Sequence, residues 1–191
     1  VSSAMSGETN KLVKLTKQIS NNFLSSEYDS VLATGEQVSC SLIAGSLNEK
    51  GYLSRSWLGW QIPIFTIGNY SCSRIANINK KKIHKFLKKG GIPIIAGFQG
   101  LNSENRITTI GRGGSDASAI MVAKSFKAKK CIIYTDVDGV YTTDPKVLLK
   151  AKKIKKISYE EMLEMASLGA KVMQPHSIQD ARLNRIDIEV R

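Results

Sequence analysis

Arg106-Ile107-Thr108-Thr109-Ile110, followed by Gly111-Arg112-Gly113-Gly114-Ser115-Asp116, is the stretch that decides how this chain of 191 residues folds. The first five residues are β-rich. The next six form a glycine-rich turn. Beyond them, Ala117 to Ala128 carries Ile120, Val122, Ala123 and Phe126 as the apolar positions of a helix. A glycine-rich turn that opens a helix leaves backbone N–H groups free at the positive end of the helix dipole, which suits carboxylate or phosphoryl oxygens. Arg112 adds a fork able to hold a carboxylate through two hydrogen bonds. Ser115 and Asp116 add a hydroxyl and a charge. The hexapeptide by itself has a second reading, a tight strand-to-helix turn with Ser or Asp as its N-cap.

Outward from this turn, the same strand-and-helix alternation extends to both ends. Val1 to Met5 has the character of a strand end, and Ser6-Gly7-Glu8-Thr9 starts a helix running to about Ser20. Gly35-Glu36-Gln37 opens another that ends near Gly51, with Val38, Leu42, Ile43 and Leu47 at helical spacing. Strands are predicted over Tyr52–Leu58 and Ile62–Ile67, then a polar-faced helix over Lys80–Lys89, closed by Gly90-Gly91. Ile92 to Gly97 is a continuous apolar run, as in a buried parallel strand. After the central turn come a buried strand over Cys131–Thr135, a helix over Ser158–Leu168 and a helix over Pro175–Leu183. The middle helix carries a capping box, with Ser158 at the N-cap and Glu161 at N3. A last strand ends the chain. The pattern predicts an α/β fold, a three-layer α/β/α sandwich around a mainly parallel sheet, with ligands at the carboxyl ends of the strands.

Bulk composition narrows the partners. The chain is long enough to bury roughly 70% of its unfolded surface. The net charge is +12, but the basic residues fall in short clusters such as Lys80-Lys81-Lys82 and Lys150 to Lys156. Aromatic residues make up 7% of the chain and do not interleave with those clusters as a base-stacking surface needs. The excess charge therefore points to anionic substrates or to a drift toward lysine, and no nucleic-acid partner is expected. Cys40, Cys72 and Cys131 show no CxxC spacing and form no zinc pattern with His84 and His176, so no metal site is expected. No apolar run approaches the ~18 residues of a membrane span, and no basic-then-apolar signal segment is present. A cytoplasmic protein with no membrane partner is the expectation. Both termini look cut from something longer.

A second motif carries chemistry: Tyr134-Thr135-Asp136-Val137-Asp138-Gly139-Val140-Tyr141-Thr142-Thr143-Asp144-Pro145. It follows a strand and is dense in hydroxyls and acids. It is open to reading as a loop of turn formers. An EF-hand is excluded by its spacing and by the absence of the last bidentate Glu. No GxxxxGK[ST] pattern occurs, so the chain is not a P-loop kinase.

This segment and the Gly111–Asp116 turn resemble the nucleotide-binding and aspartate-binding segments of aspartate kinases, in the amino-acid kinase family. Further matching stretches are Ser2 to Asn10, Gly35 to Ser39, Ala96 to Gly100 and Ala166 to Val172, in the family's order and across nearly the whole chain. The resemblance implies transfer of the ATP γ-phosphoryl, with Mg²⁺, to the side-chain carboxylate of L-aspartate, giving 4-phospho-L-aspartate. That is the first step toward lysine, diaminopimelate, threonine and methionine. It also implies an aspartate-binding lobe over about residues 1–120 and a nucleotide-binding lobe over about 121–191.

Site roles follow from the matched positions. Glu36 would take the substrate ammonium, although without the family pattern it reads first as a first-turn acid favoured by the helix dipole. Arg112 would take the α-carboxylate, Ser3, Thr9 and Ser115 would hold the substrate, and Asp116 would lie beside the amino group. Thr135, Asp136 and Tyr141 would line the nucleoside pocket, and Lys146 stands where the family usually has Arg. Lys171 resembles the phosphate-binding lysine; its other reading is one more exposed lysine. Lys171, Arg112 and Asp116 form the catalytic set. A carboxylate acceptor needs no deprotonating base, so both histidines are expected to be bystanders.

Three features depart from the family pattern. Ile67 to Cys72 replaces a stretch that is usually acidic and polar. The family's opening strand, ending Lys-Phe-Gly-Gly-Thr-Ser, is not within these residues, and neither are its regulatory domains. Little turnover is therefore expected from this chain alone, with a complementing N-terminal segment or a homo-oligomer as possible partners. The alternative is a truncated remnant that at most binds nucleotide or aspartate.

Overall fold

The computed structural model describes residues 1–143, 147–170 and 172–191. They divide into two compact units, Val1–Ala119 and Ile120–Arg191.

The first unit opens on an extended segment whose Ser2 is bridged in parallel to Ala96. Helix α1 (Glu8–Ile19) follows, with Glu8 in its first turn and Lys17 in its last, each complementing the helix dipole. α2 (Ser25–Leu32) runs through Ala33 directly into α3 (Thr34–Glu49). The sequence analysis did not predict α2. Its eight residues include three Ser and one Asp, which favour turns, so its helicity comes from tertiary bonds rather than propensity.

Strand β1 (Ser54–Trp57) pairs in parallel with β4 (Ile92–Ile95), in register Ser54↔Ile92. Between them in sequence lie β2 (Ile64–Ile67), β3 (Arg74–Ile78) and α4 (Lys81–Leu87). With β5 (Gln99–Leu101) and β6 (Ile107–Thr109), they form a sheet ordered β3-β2-β5-β6. The β2–β5 pair is parallel, whereas β2–β3 and β5–β6 are antiparallel hairpins. The α/β class and the parallel pairs agree with the sequence; β3, β5 and the two hairpins were not legible in it. Burial along β4 is not continuous, because Ile92 is exposed and the strand becomes buried only at Ile95, Ala96 and Gly97. That carboxyl end is where the glycine-rich turn arrives. α5 (Gly114–Ser125) begins in the first unit, and its C-terminal half belongs to the second.

In the second unit, β7 (Cys131–Ile133) pairs in parallel with β8 (Ile188–Val190). α6 (Tyr159–Ser167) starts with the predicted capping box: the Ser158 side chain accepts from the Glu161 N–H, and the Glu161 carboxylate accepts from the Ser158 N–H. α7 (Pro175–Asn184) has Pro in its first turn, where the missing N–H has no partner to lose. Ile133, Met162, Ile178, Ala181 and Ile186 are buried here. Among the described residues, no helix is long and apolar enough to cross a membrane.

The start of α3 rests closely on the chain's first residues. The Ser39 hydroxyl donates to the Ser3 carbonyl at 2.5 Å and lies 2.9 Å from the Ser2 hydroxyl. A Cβ on Gly35 would stand 2.9 Å from the Ala4 Cβ. Gly35→Ala adds helix propensity of about 1 kcal/mol, but overpacking costs about 1–3 kcal/mol. The steric term wins because Ala4 is held by its own backbone. We expect Gly35→Ala to lower stability by about 1–2 kcal/mol in urea unfolding; a rise in midpoint would mean that the Val1–Ala4 segment yields freely.

Candidate functional site

The glycine-rich turn is built from both sides. Its entry is the end of β6, where Thr109 is fully buried and the Ile110 N–H donates to the Phe98 carbonyl at 2.9 Å. Its exit is α5, which starts at Gly114, three residues earlier than the apolar periodicity suggests. Ser115 and Asp116 therefore lie in the first turn of α5 and not at its N-cap. Gly111 has φ +84°, open to glycine at little strain, and a Cβ there would stand 2.9 Å from the Ser71 carbonyl oxygen. No other residue fits both conditions.

A cavity of about 330 Å³ opens over this turn. Ser3, Thr9, Glu36, Arg112, Ser115 and Asp116 all line it, together with Ala4, Phe98 and the turn glycines. The structure thus brings together in one cavity every substrate-side residue singled out in the sequence. They come from three separate stretches: the extended N-terminal segment with the start of α1, the first turn of α3, and the β6–α5 turn.

The electrostatics of this cavity are uneven. Glu36 is only 4% exposed. Its Oε1 accepts the Ala4 N–H at 3.0 Å, while its Oε2 is buried with no partner among the described residues. Burial pushes its pKa up to about 7, opposed by the Ala4 hydrogen bond. A carboxyl held in that state gains much from a cationic group that reaches its free oxygen. Arg112 is exposed and makes no ion pair among the described residues. The cavity therefore presents a buried acid with one open oxygen, a free guanidinium and the N-terminal turn of α5. That donor set matches a small molecule carrying an ammonium and a carboxylate.

The sequence analysis missed Phe98 as a lining residue; its positive φ of 65° is a tertiary property with no sequence signal. It also missed Asp29, which is buried in α2 outside the cavity.

The nucleotide-side candidates lie in the second unit, on the loop after β7. Thr135 and Asp136 are exposed, and the Thr135 hydroxyl donates to the Asp136 carboxylate at 3.1 Å. The Tyr141 hydroxyl donates to Asp138 at 3.0 Å, and Lys153 pairs with the same carboxylate. The phenol's pKa is raised by that Asp138 hydrogen bond. Tyr141 is thus part of a small exposed network that braces the loop. Lys146 and Lys171 lie outside the described residues.

An aspartokinase of Geobacillus stearothermophilus is 51% identical over 191 residues, covering 100% of this chain and 47% of that protein. The chain thus spans about half the length of the curated relatives it matches. The crystal structure of aspartate kinase from Synechocystis superposes with a TM-score of 0.86 at 40% identity, over 99% of this chain and 31% of that one. E. coli aspartokinase III, solved in complex with aspartate and ADP, superposes with a TM-score of 0.83 at 30% identity, over 95% of this chain and 41% of that one. The model of the amino acid kinase family matches residues 1–191 from end to end. With the glycine turn, the buried acid and the parallel strand pairs all in place, this chain belongs to the amino acid kinase family.

Proposed function

We propose that this chain is part of an aspartate kinase, which transfers the γ-phosphoryl of ATP to the side-chain carboxylate of L-aspartate to form 4-phospho-L-aspartate. The observation that carries this reading is the cavity shared by Glu36, with one unpartnered oxygen, and Arg112, with no ion-pair partner among the described residues. The likeness to an aspartokinase solved with aspartate and ADP supports it.

In this reading Glu36 takes the ammonium of L-aspartate, and Arg112 takes the α-carboxylate through a bidentate pair. Ser3, Thr9, Ser115 and the amide groups of the α5 N-terminus orient the second carboxylate. That group is anionic at neutral pH, so the acceptor needs positioning and no general base. ATP, with Mg²⁺, is taken by the Thr135–Tyr141 loop. Lys171, by the likeness of its segment, neutralises charge on the transferring group, and Lys146 lies beside the nucleotide. Asp116 sits beside the substrate amino group. This product would feed lysine, threonine and methionine synthesis.

The testing experiment is a coupled ADP-release assay with L-aspartate as acceptor. It is run on this chain alone and on the chain fused behind the family's Lys-Phe-Gly-Gly-Thr-Ser segment. The expected result is little ADP release from the chain alone and, from the fused chain, ADP release that requires L-aspartate and falls by about 10³-fold or more in Lys171→Ala. Failure of both proteins to release ADP, with no L-aspartate binding, would reject the reading. Binding without release would mark a non-catalytic relative.

Arg112→Ala should weaken L-aspartate binding by about 2–4 kcal/mol, because a carboxylate loses its charged partner. Arg112→Lys should recover only part of that, since the fork is lost. Calorimetric titration of the three proteins is the check, and equal affinity for wild type and Arg112→Ala contradicts the assigned role.

Glu36 adds a pH signature. Its pKa is about 7 in the folded chain against an ordinary 4.5, so between those values the folded state holds more protons than the unfolded one. Stability of the ligand-free chain therefore falls as pH rises through that window, by about 1.4 kcal/mol per unit at most. Glu36→Gln should flatten this slope and be about 2–3 kcal/mol more stable than wild type at pH 8, while losing L-aspartate affinity. Affinity of the wild type should climb with pH up to about 7, because below it the ammonium must displace a proton from Glu36. Thermal melts and titrations from pH 5 to pH 8 measure both trends.

A further inference from the structure

We propose that Asp29 is a positioning residue that sets the separation between the two charged walls of the cavity, and with it the length of amino acid the site accepts. The inference rests on the reading of that cavity as an L-aspartate site.

Asp29 lies in α2, is 0% exposed and does not touch the cavity. Its carboxylate accepts four hydrogen bonds from two residues. Oδ2 takes the backbone N–H of Ser71 at 2.8 Å and of Thr109 at 2.7 Å. Oδ1 takes the Ser71 hydroxyl at 2.8 Å and the Thr109 hydroxyl at 2.9 Å. Buried carboxylates are tolerated when their lone pairs are filled in this way, and four directional bonds to two segments define a position and not merely an adhesion.

What that position controls follows from the chain. Downstream of Asp29, α2 passes through the single residue Ala33 into α3, whose first turn carries Glu36. Thr109 ends β6, directly ahead of Ile110 and the Gly111-Arg112 turn. Ser71 supports the same turn from outside, through the carbonyl oxygen that abuts Gly111. One side chain therefore ties the corner bearing the acid to the turn bearing the guanidinium. A second tie steadies the corner: Gln99 Nε2 donates to the Ala33 carbonyl at 3.0 Å, and its Oε1 accepts from Gln37 at 3.3 Å. Loss of the Asp29 bonds would then loosen the wall spacing without releasing α2 and α3 altogether.

L-Glutamate is one methylene longer than L-aspartate, and one methylene is typically worth ~10–200-fold in discrimination when the pocket dimensions are firm. The test is calorimetric affinity for both amino acids, with a thermal melt of each protein, for wild type, Asp29→Ala, Asp29→Asn and Thr109→Val. Wild type should prefer L-aspartate, and Asp29→Ala should reduce that preference by ~10-fold or more. Asp29→Asn should restore it, because its amide oxygen can take both N–H groups while its NH₂ donates to the two hydroxyls, which turn to accept. A role confined to stability would lower the melting temperature and leave the preference untouched. Should Asp29→Ala fail to fold, Thr109→Val removes one hydroxyl bond at equal volume, and it should reduce the preference to a smaller degree. An unchanged preference in the folded variant overturns this inference alone. A wild type that does not bind L-aspartate overturns the reading of the cavity, and this inference with it.

Discussion

The four hydrogen bonds of the Asp29 carboxylate are the constraint on which the first unit hangs. They join a helix to a strand end 80 residues away and to the loop beside it. Through Ala33 and Gly111 they reach both walls of the cavity. A few ångströms of slack there would undo the site, because groups that hold one small molecule from two sides must keep their separation. The unit buries a second carboxyl, on Glu36, and treats it in the opposite way. Asp29 has every lone pair filled, whereas Glu36 has one oxygen bonded to Ala4 and the other buried with no partner among the described residues. Satisfied buried charge is architecture; buried polarity left half satisfied is free energy reserved for a ligand.

The remainder of the cavity follows from that division. Gly35 permits the close approach of α3 to Ala4 that both bonds and desolvates Glu36, so the raised pKa and the local packing share one cause. On the other wall the backbone does the work, with a glycine turn delivering to the same space the first turn of α5 and an arginine that makes no ion pair among the described residues. The excess of lysine over the whole chain plays no visible part in this. Lys130 and Lys153 pair with acids of their own neighbourhood, and exposed pairs of that kind contribute little to stability.

Local patterns were legible wherever one segment decides its own conformation. The capping box at Ser158 and Glu161, the helix after Gly7 and the strands around Ile64 and Cys131 stand where periodicity and turn chemistry put them. The misses share a physical character. α2 has weak helix formers and holds its shape through Asp29, and β3 and β5 are short strands fixed by their pairing, β3 with β2 and β5 with β6 and β2. α5 begins on Gly114, a residue that propensity alone assigns to the turn. In each case tertiary bonds outweigh preferences of a few tenths of a kilocalorie per residue.

By itself the sequence determined the alternation of strands and helices and the glycine turn before α5. These depend on spacing of side chains along one backbone, which is a local property. Only the tertiary structure decided that Glu36 is buried with an open oxygen, that Arg112 shares its cavity, and that the Asp29 carboxylate takes four hydrogen bonds from Ser71 and Thr109. Desolvation and hydrogen-bond satisfaction depend on which distant segments meet. Ala4 and Glu36 are 32 residues apart, and Asp29 and Thr109 are 80 apart, so no reading of neighbours along the chain contains them.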